Sequence, residues 1–146
     1  MKFLPLLGKR LKDDDVIDIL ETLDIDVVYV FDRLRENIPD EYTAQSKQDG
    51  FQFRFNANQV LDVIFIYLLP NDGFTPITLT ECDIQLFKSV KEIEKYAGVE
   101  KLNVKKGAAD LLGVQRFWAR LEFEGYSAHY EFRNEKLAMV TLMRKP

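Results

Sequence analysis

Few side chains in this chain are suited to bond-making chemistry. His129 is the only histidine and Cys82 the only cysteine. A structural or catalytic metal needs three or four such ligands at close spacing, and neither residue has a second His or Cys to join it. A cysteine–histidine nucleophile pair exists by composition alone, but Cys82 lies in a linker-like stretch without a recognised flanking motif. There is no glycine-rich phosphate loop and no Gly-x-Ser-x-Gly turn. Carboxylates are plentiful. Proton transfer, however, needs a carboxyl whose pKa is shifted by burial or coupling, and the acidic first helix reads as a solvated face. The chain is therefore expected not to be an enzyme and to use no metal or cofactor.

Recognition chemistry is richer. Alternation over Gln115 to Phe123 and Ser127 to Phe132 turns Phe117, Leu121, Phe123, Tyr130 and Phe132 inward. It turns Trp118, Arg120, Glu122, His129 and Glu131 outward, joined by Gln52 and Arg54 from an earlier strand. Trp and Arg are the side chains that most often anchor protein interfaces. An outward Trp is a large apolar group to leave in water, so either a partner covers Trp118 or a loop or the chain terminus does. A second candidate surface is acidic. Residues 1–45 hold 11 acidic and 6 basic side chains, a net of −5, against −4 for the whole chain. A one-sign region of this kind disfavours nucleic acid, whose phosphates need Lys and Arg. It suits a basic protein surface, although a charge run is often only a solvated helix face. The candidate partner-binding residues are thus Asp14, Asp18 and Asp32 in the acidic region, with Arg54, Trp118, Arg120, Glu122 and His129 on the wet strand face.

The elements that must hold these residues follow from periodicity. Asp13 to Leu23 reads as an amphipathic helix, with Val16, Ile19, Leu20 and Leu23 on one stripe and the Asp run supplying an N-cap. Val27 to Ile38 suits either a strand or a second short helix stopped by Pro39, and the helix is favoured. Strands are expected at Tyr42 to Lys47, at Phe51 to Phe55 with the three Phe inward, and at Val60 to Leu69. Residues 74–88 read as a linker with room for a short edge strand. Ser89 and Glu92 form a capping box for a second helix, whose stripe is Ile93, Tyr96 and Ala97 and whose C-terminal cap is Gly98. Lys101 to Gly113 reads as a loop. Gln115 to Phe123, Ser127 to Phe132 and Leu137 to Met143 read as a meander.

The chain also matches itself at an offset of 77 residues. Phe53 falls on Tyr130, Phe55 on Phe132, Val63 on Val140, Phe65 on Leu142 and Val16 on Ile93. The expected fold is therefore α+β. It is a single domain over 1–146 built as a tandem pseudo-repeat, about 1–73 and 74–146. Each half would be helix plus a three-stranded antiparallel meander, with the helices on one face of the sheet. The expected core is Val16, Leu20, Phe53, Phe55, Val63, Phe65, Ile93, Phe117, Leu121, Tyr130, Phe132 and Leu142. With 146 residues, 47% apolar and 30% charged, the composition is that of a globular protein. The apolar run Phe3 to Leu7 is too short for a signal-peptide core, and no stretch is long enough to span a bilayer. Cytoplasm is the expected compartment, with no membrane partner.

Two motif sets carry resemblances. The segment Ser89 to Lys101, followed by Trp118 and the hairpin ending at Leu142, resembles the repeat of the beta-lactamase inhibitor protein fold and of small outer-membrane assembly lipoproteins. Leu7-Gly8-Lys9, Asp49-Gly50, Ile64 to Tyr67 and Val140 to Met143 resemble a group of small bacterial immunity proteins. The chain departs from that group at Ala97-Gly98-Val99 and over residues 103–113. The resemblance implies an immunity protein that binds and neutralises a cognate toxin domain, basic where the toxin is a nuclease. The alternative it leaves open is a non-enzymatic envelope scaffold or small-ligand module of the same fold.

Overall fold

A computed structural model of the chain describes residues 1–78 and 82–146. A short 3-10 turn at Leu4–Leu6 leads into helix α1, Asp14–Thr22. Four strands follow: β1 (Val27–Val30), β2 (Glu41–Ser46), β3 (Phe51–Phe55) and β4 (Leu61–Tyr67). Helix α2 spans Val90–Glu100 and precedes β5 (Asn103–Leu111), β6 (Val114–Glu122), β7 (Tyr126–Arg133) and β8 (Lys136–Arg144). The eight strands form one antiparallel sheet in the order β1-β2-β3-β4-β8-β7-β6-β5. This is an α+β fold.

Each half therefore contributes four strands where the sequence pattern predicts three. Val27–Val30 is a strand, not a helix, because Val, Val, Tyr and Val are β-branched or aromatic and β2 lies beside them as a partner. Asn103–Leu111 is a strand, not a loop. Its Lys, Gly and Ala residues have weak strand propensity, and pairing along the whole of β6 overrides it. The described residues of 74–88 contain no strand.

The helix ends also differ in detail. Asp13 makes no side-chain cap on α1; its carboxylate instead accepts from the Arg10 amide at 2.8 Å. Asp14 and Asp15 lie in the first turn, where negative charge favours the helix dipole. Ser89 caps α2 as expected, accepting from the Glu92 amide at 3.2 Å. Gly98 does not end it: the helix runs two residues further and closes on Lys101, which takes the left-handed conformation at φ 57°.

One buried cluster gathers Val16 of α1, Ile93 and Ala97 of α2, and the inward residues of β2 to β4 and β6 to β8. Phe53, Phe55, Leu121 and Leu142 are fully buried in it, as are Tyr130 and Phe132 to within 2% exposure. Leu20 and Phe117 are only half-buried at its margin. Strand β4 departs from expectation. Arg54 pairs with Val63 but the next residue, Phe55, pairs with Leu61, so Asp62 is an extra residue in β4. Asn56 Nδ2 and Arg144 Nε hold the Asp62 carboxylate at 2.8 and 3.0 Å. This bulge reverses the phase of the strand. Ile64 and Ile66, opposite Phe53 and Phe51, enter the core. Val63 and Phe65 point to the other face. Val63 is buried there, and Phe65 is half-buried beneath the Arg54 guanidinium, 5.6 Å from its ring centre. The expected placement of Phe65 in the core, and of Val63 over Val140, is corrected accordingly: Val140 is a core residue opposite Tyr130.

Gly50 fixes the turn into β3. It sits at φ 77°, and a Cβ there would run into the Thr75 carbonyl, so only glycine lets residues 75–77 lie against this turn. The Gly50 carbonyl accepts from the Tyr67 amide at 2.9 Å.

Candidate partner-binding surfaces

The eight candidate residues occupy three separate places. Strand register puts Trp118, Arg120 and Glu122 of β6 beside His129 and Glu131 of β7 on the outer face of the sheet. Trp118 stacks on His129 with ring centres 5.2 Å apart and planes at 20°. On its other side is the backbone of Gly107 in β5. The indole is therefore flanked by its own strand neighbours, and Trp118 is half-buried.

Charge on this face is largely paired. Glu131 lies between Arg116 and Arg133, at 3.6 and 3.4 Å. Glu122 lies between Arg120 and Lys145, at 2.9 and 3.1 Å. The Lys145 ammonium, and then Arg120, hold the Glu122 carboxyl below its ordinary range despite some desolvation. Burial lowers the pKa of His129 first; Glu131 raises it and Arg120 lowers it further. The imidazole is thus poised neutral against the indole. The Nε atoms of Arg116, Arg120 and Arg133 are buried without a hydrogen-bond partner, so the close Arg120–Glu122 approach is an ion contact without hydrogen-bond geometry. Arg54 shares this outer face but stands four strands away from Glu122, about 19 Å at the usual strand spacing. It faces Glu41 at 3.8 Å.

Asp14 and Asp18 are exposed on α1, a different element from the strands that carry Trp118 and its neighbours. Neither is in an ion pair among the described residues. Asp32 shapes the loop after β1: its carboxylate accepts from the Glu36 amide at 2.9 Å and from the Ile38 amide at 3.3 Å.

That loop and β1 form a surface that residue-by-residue reading missed. Val28, Val30, Phe31, Leu34 and Ile38 are all exposed, Leu34 at 77%. With Pro39 they line an open groove of about 540 Å³. Tyr29 stacks on Tyr42 at 5.0 Å and donates its hydroxyl to Asp40 at 2.7 Å. The signal in the sequence is the unbroken apolar run Val27 to Phe31 set among acids. Such a run usually marks a buried element, which is why its exposure does not announce itself.

The sheet also separates charge. Residues 24–41, at the β1 end, hold six acids and two arginines, a net of −4. Residues 101–120, at the β5 end, hold five basic side chains and one acid, a net of +4. The two end segments of the sheet are thus of opposite sign. No group of three or more His, Cys, Asp or Glu suited to a metal occurs among the described residues. Among those residues, no helix is long and apolar enough to cross a membrane. The chain matches no family model, no curated protein and no solved structure.

Proposed function

We propose that this protein is a cytoplasmic immunity protein that binds and neutralises a basic toxin domain by protein–protein contact. The observation that carries the reading is the acidic region. Asp24, Asp26 and Glu36 are in no ion pair among the described residues and flank in sequence the exposed apolar side chains of β1 and its loop, and Asp14 and Asp18 on α1 are likewise in none. Unneutralised carboxylates steer a basic partner, and exposed apolar groups hold it once it arrives. The resemblance of Leu7 to Lys9, Asp49-Gly50, Ile64 to Tyr67 and Val140 to Met143 to small bacterial immunity proteins gives the same direction. The test is co-expression with the toxin domain encoded beside its gene, with binding kinetics measured on the purified pair. Rescue of growth and saturable binding are expected. Absence of binding by the wild-type protein would end the immunity reading.

The scaffold on this reading is one unit used twice, with both helices on one face of the sheet. Two observations support it. Val16 and Ile93, 77 residues apart, are both fully buried in one cluster. Register shifts between Arg54 and Phe55 in one hairpin, and between Glu131 and Phe132 in the other, again 77 residues apart. In the returning strands the equivalent residues are 76 apart, Ile64 with Val140 and Ile66 with Leu142, because the second hairpin loop is one residue shorter.

A further inference from the structure

We propose that β1 is a docking edge, and that its occupant is an extended, basic and apolar segment of another protein that adds to the sheet as a ninth strand. The inference rests on the partner-binding reading above, but not on the partner being a toxin.

β1 is the last strand on its side of the sheet and pairs only with β2. Among the described residues nothing pairs with its other side, so a row of amides and carbonyls is left open. Natural proteins usually blunt such an edge with lysine, proline or a bulge. β5, the opposite edge, is blunted in this way: it carries Lys105 and Lys106, and Lys106 is tied to Glu94 at 3.0 Å. β1 carries Val27, Val28, Tyr29 and Val30, each between 38% and 54% exposed, and no charge at all. Its register with β2 is regular, so both faces of an added strand would find apolar neighbours: Val28 and Val30 on one, Val27 and Tyr29 on the other. Main-chain pairing would supply affinity and these side chains selectivity.

Charge selects the occupant. The edge is framed by Asp24, Asp26, Asp32, Glu36 and Asp40, with Arg33 and Arg35 the only cations nearby in sequence. Two copies meeting β1 to β1 would place these acids against each other, an isologous contact with like charges opposed. The basic β5 edge of a second copy has the right sign. Its Lys106 is already engaged, Gly107 is filled by Trp118, and head-to-tail pairing would give an open chain with no closure. A basic apolar strand from a different protein satisfies both the open backbone and the charge.

The test uses the full chain and a synthetic capped peptide of alternating lysine and valine, Lys-Val-Lys-Val-Lys-Val-Lys. Two controls are a peptide with proline at the centre and one with glutamate replacing lysine. Amide shifts and hydrogen exchange are read residue by residue. Saturable shifts confined to residues 24–44, slowed exchange in β1, and at least tenfold weaker binding of both controls are expected. Val28→Lys should reduce binding tenfold or more, while Val28→Thr keeps it. Absence of saturable shifts at β1, equal binding of the glutamate peptide, or shifts centred on residues 103–111 would overturn the proposal. So would sedimentation showing that free β1 is consumed by self-association. If Val28→Lys fails to fold, the peptide controls on the wild-type protein still decide. If the neighbouring toxin domain binds Val28→Lys as tightly as wild type, edge docking falls and the immunity reading stands. If the peptide docks on β1 and that toxin domain does not bind, the edge stands and the immunity reading falls.

Discussion

Trp118 lies so close against Gly107 that a Cβ on Gly107 would meet the indole Nε1 at 2.6 Å. The two residues face each other across the β5–β6 ladder, and glycine's missing side chain is the slot that the indole fills. Gly107→Ala should force the indole outward, away from His129. The expected cost is about 1–3 kcal/mol, the usual range for overpacking. Trp118 is the only tryptophan, so its emission reports the displacement directly as a red shift. An unchanged spectrum would mean that the indole does not use this slot.

His129 should make stability depend on pH. Its folded pKa lies below the ordinary value, through burial first and Arg120 last. The unfolded chain therefore binds the proton more readily. The stabilisation is fully present above about pH 6.5, the ordinary histidine value, and is lost as pH falls through the folded pKa. Urea unfolding at pH 7.5 and pH 5 should show this loss in the wild type. His129→Gln, which cannot titrate, should flatten that part of the profile.

Gly98 offers the opposite kind of change. It lies inside α2, its φ is not left-handed, and a Cβ there would meet nothing within 4 Å. Gly98→Ala should stabilise the protein by about 0.5–1 kcal/mol, chiefly by narrowing the unfolded ensemble. A thermal melt measures it, and a lower Tm would contradict the helix boundary at Glu100.

Core truncations should reveal the bulge at Asp62. Phe55→Ala and Phe132→Ala should each cost about 3–5 kcal/mol, and Ile64→Ala about 2–5 kcal/mol. Phe65→Ala should cost less than any of them, because Phe65 is half-buried on the outer face. Denaturant midpoints across the four variants give the order. A Phe65 effect equal to that of Ile64 would place β4 in the wrong phase.

These contrasts show what was legible in the chain. Phe51, Phe53 and Phe55 alternate strictly with polar residues, so their face could be read from period two alone. Leu61 to Tyr67 is apolar at every position but Asp62, so nothing in its pattern distinguishes its faces; the bulge does, and a bulge is set by pairing. The pairing of β1 and β5 was hidden for a related reason. A strand of four residues has too little periodicity to declare itself, and Lys-Lys-Gly-Ala-Ala favours no strand until β6 is beside it. The cluster of Trp118, Arg120, Glu122 and His129 was visible from alternation. Its pairing pattern, with Glu122 and Glu131 each set between two cations, required the tertiary fold.

Charge reversal on α1 separates steering from contact. Asp14→Lys with Asp18→Lys should slow association with a basic partner by about tenfold at low salt, and by less at physiological salt, with little change in dissociation. Asp32 behaves differently because it binds two amides. Asp32→Ala should loosen residues 32–38, seen as faster amide exchange at Glu36 and Ile38, before any effect on charge is read. Stopped-flow and exchange measurements distinguish the two.

The seam between β4 and β8 imposes an order on folding during synthesis. β8 is made after β1 to β7, yet among the described residues it alone joins β5 to β7 onto the strands of the first half. While the ribosome is still producing β5, β6 and β7, the first four strands are complete but β4, with Ile64 and Ile66, has one side unclaimed. A nascent chain at this stage has two sticky margins, not one, and needs a chaperone or speed to keep them apart. Closure comes only when Val140 and Leu142 leave the exit tunnel, so the protein should become protease-resistant late and in a single step.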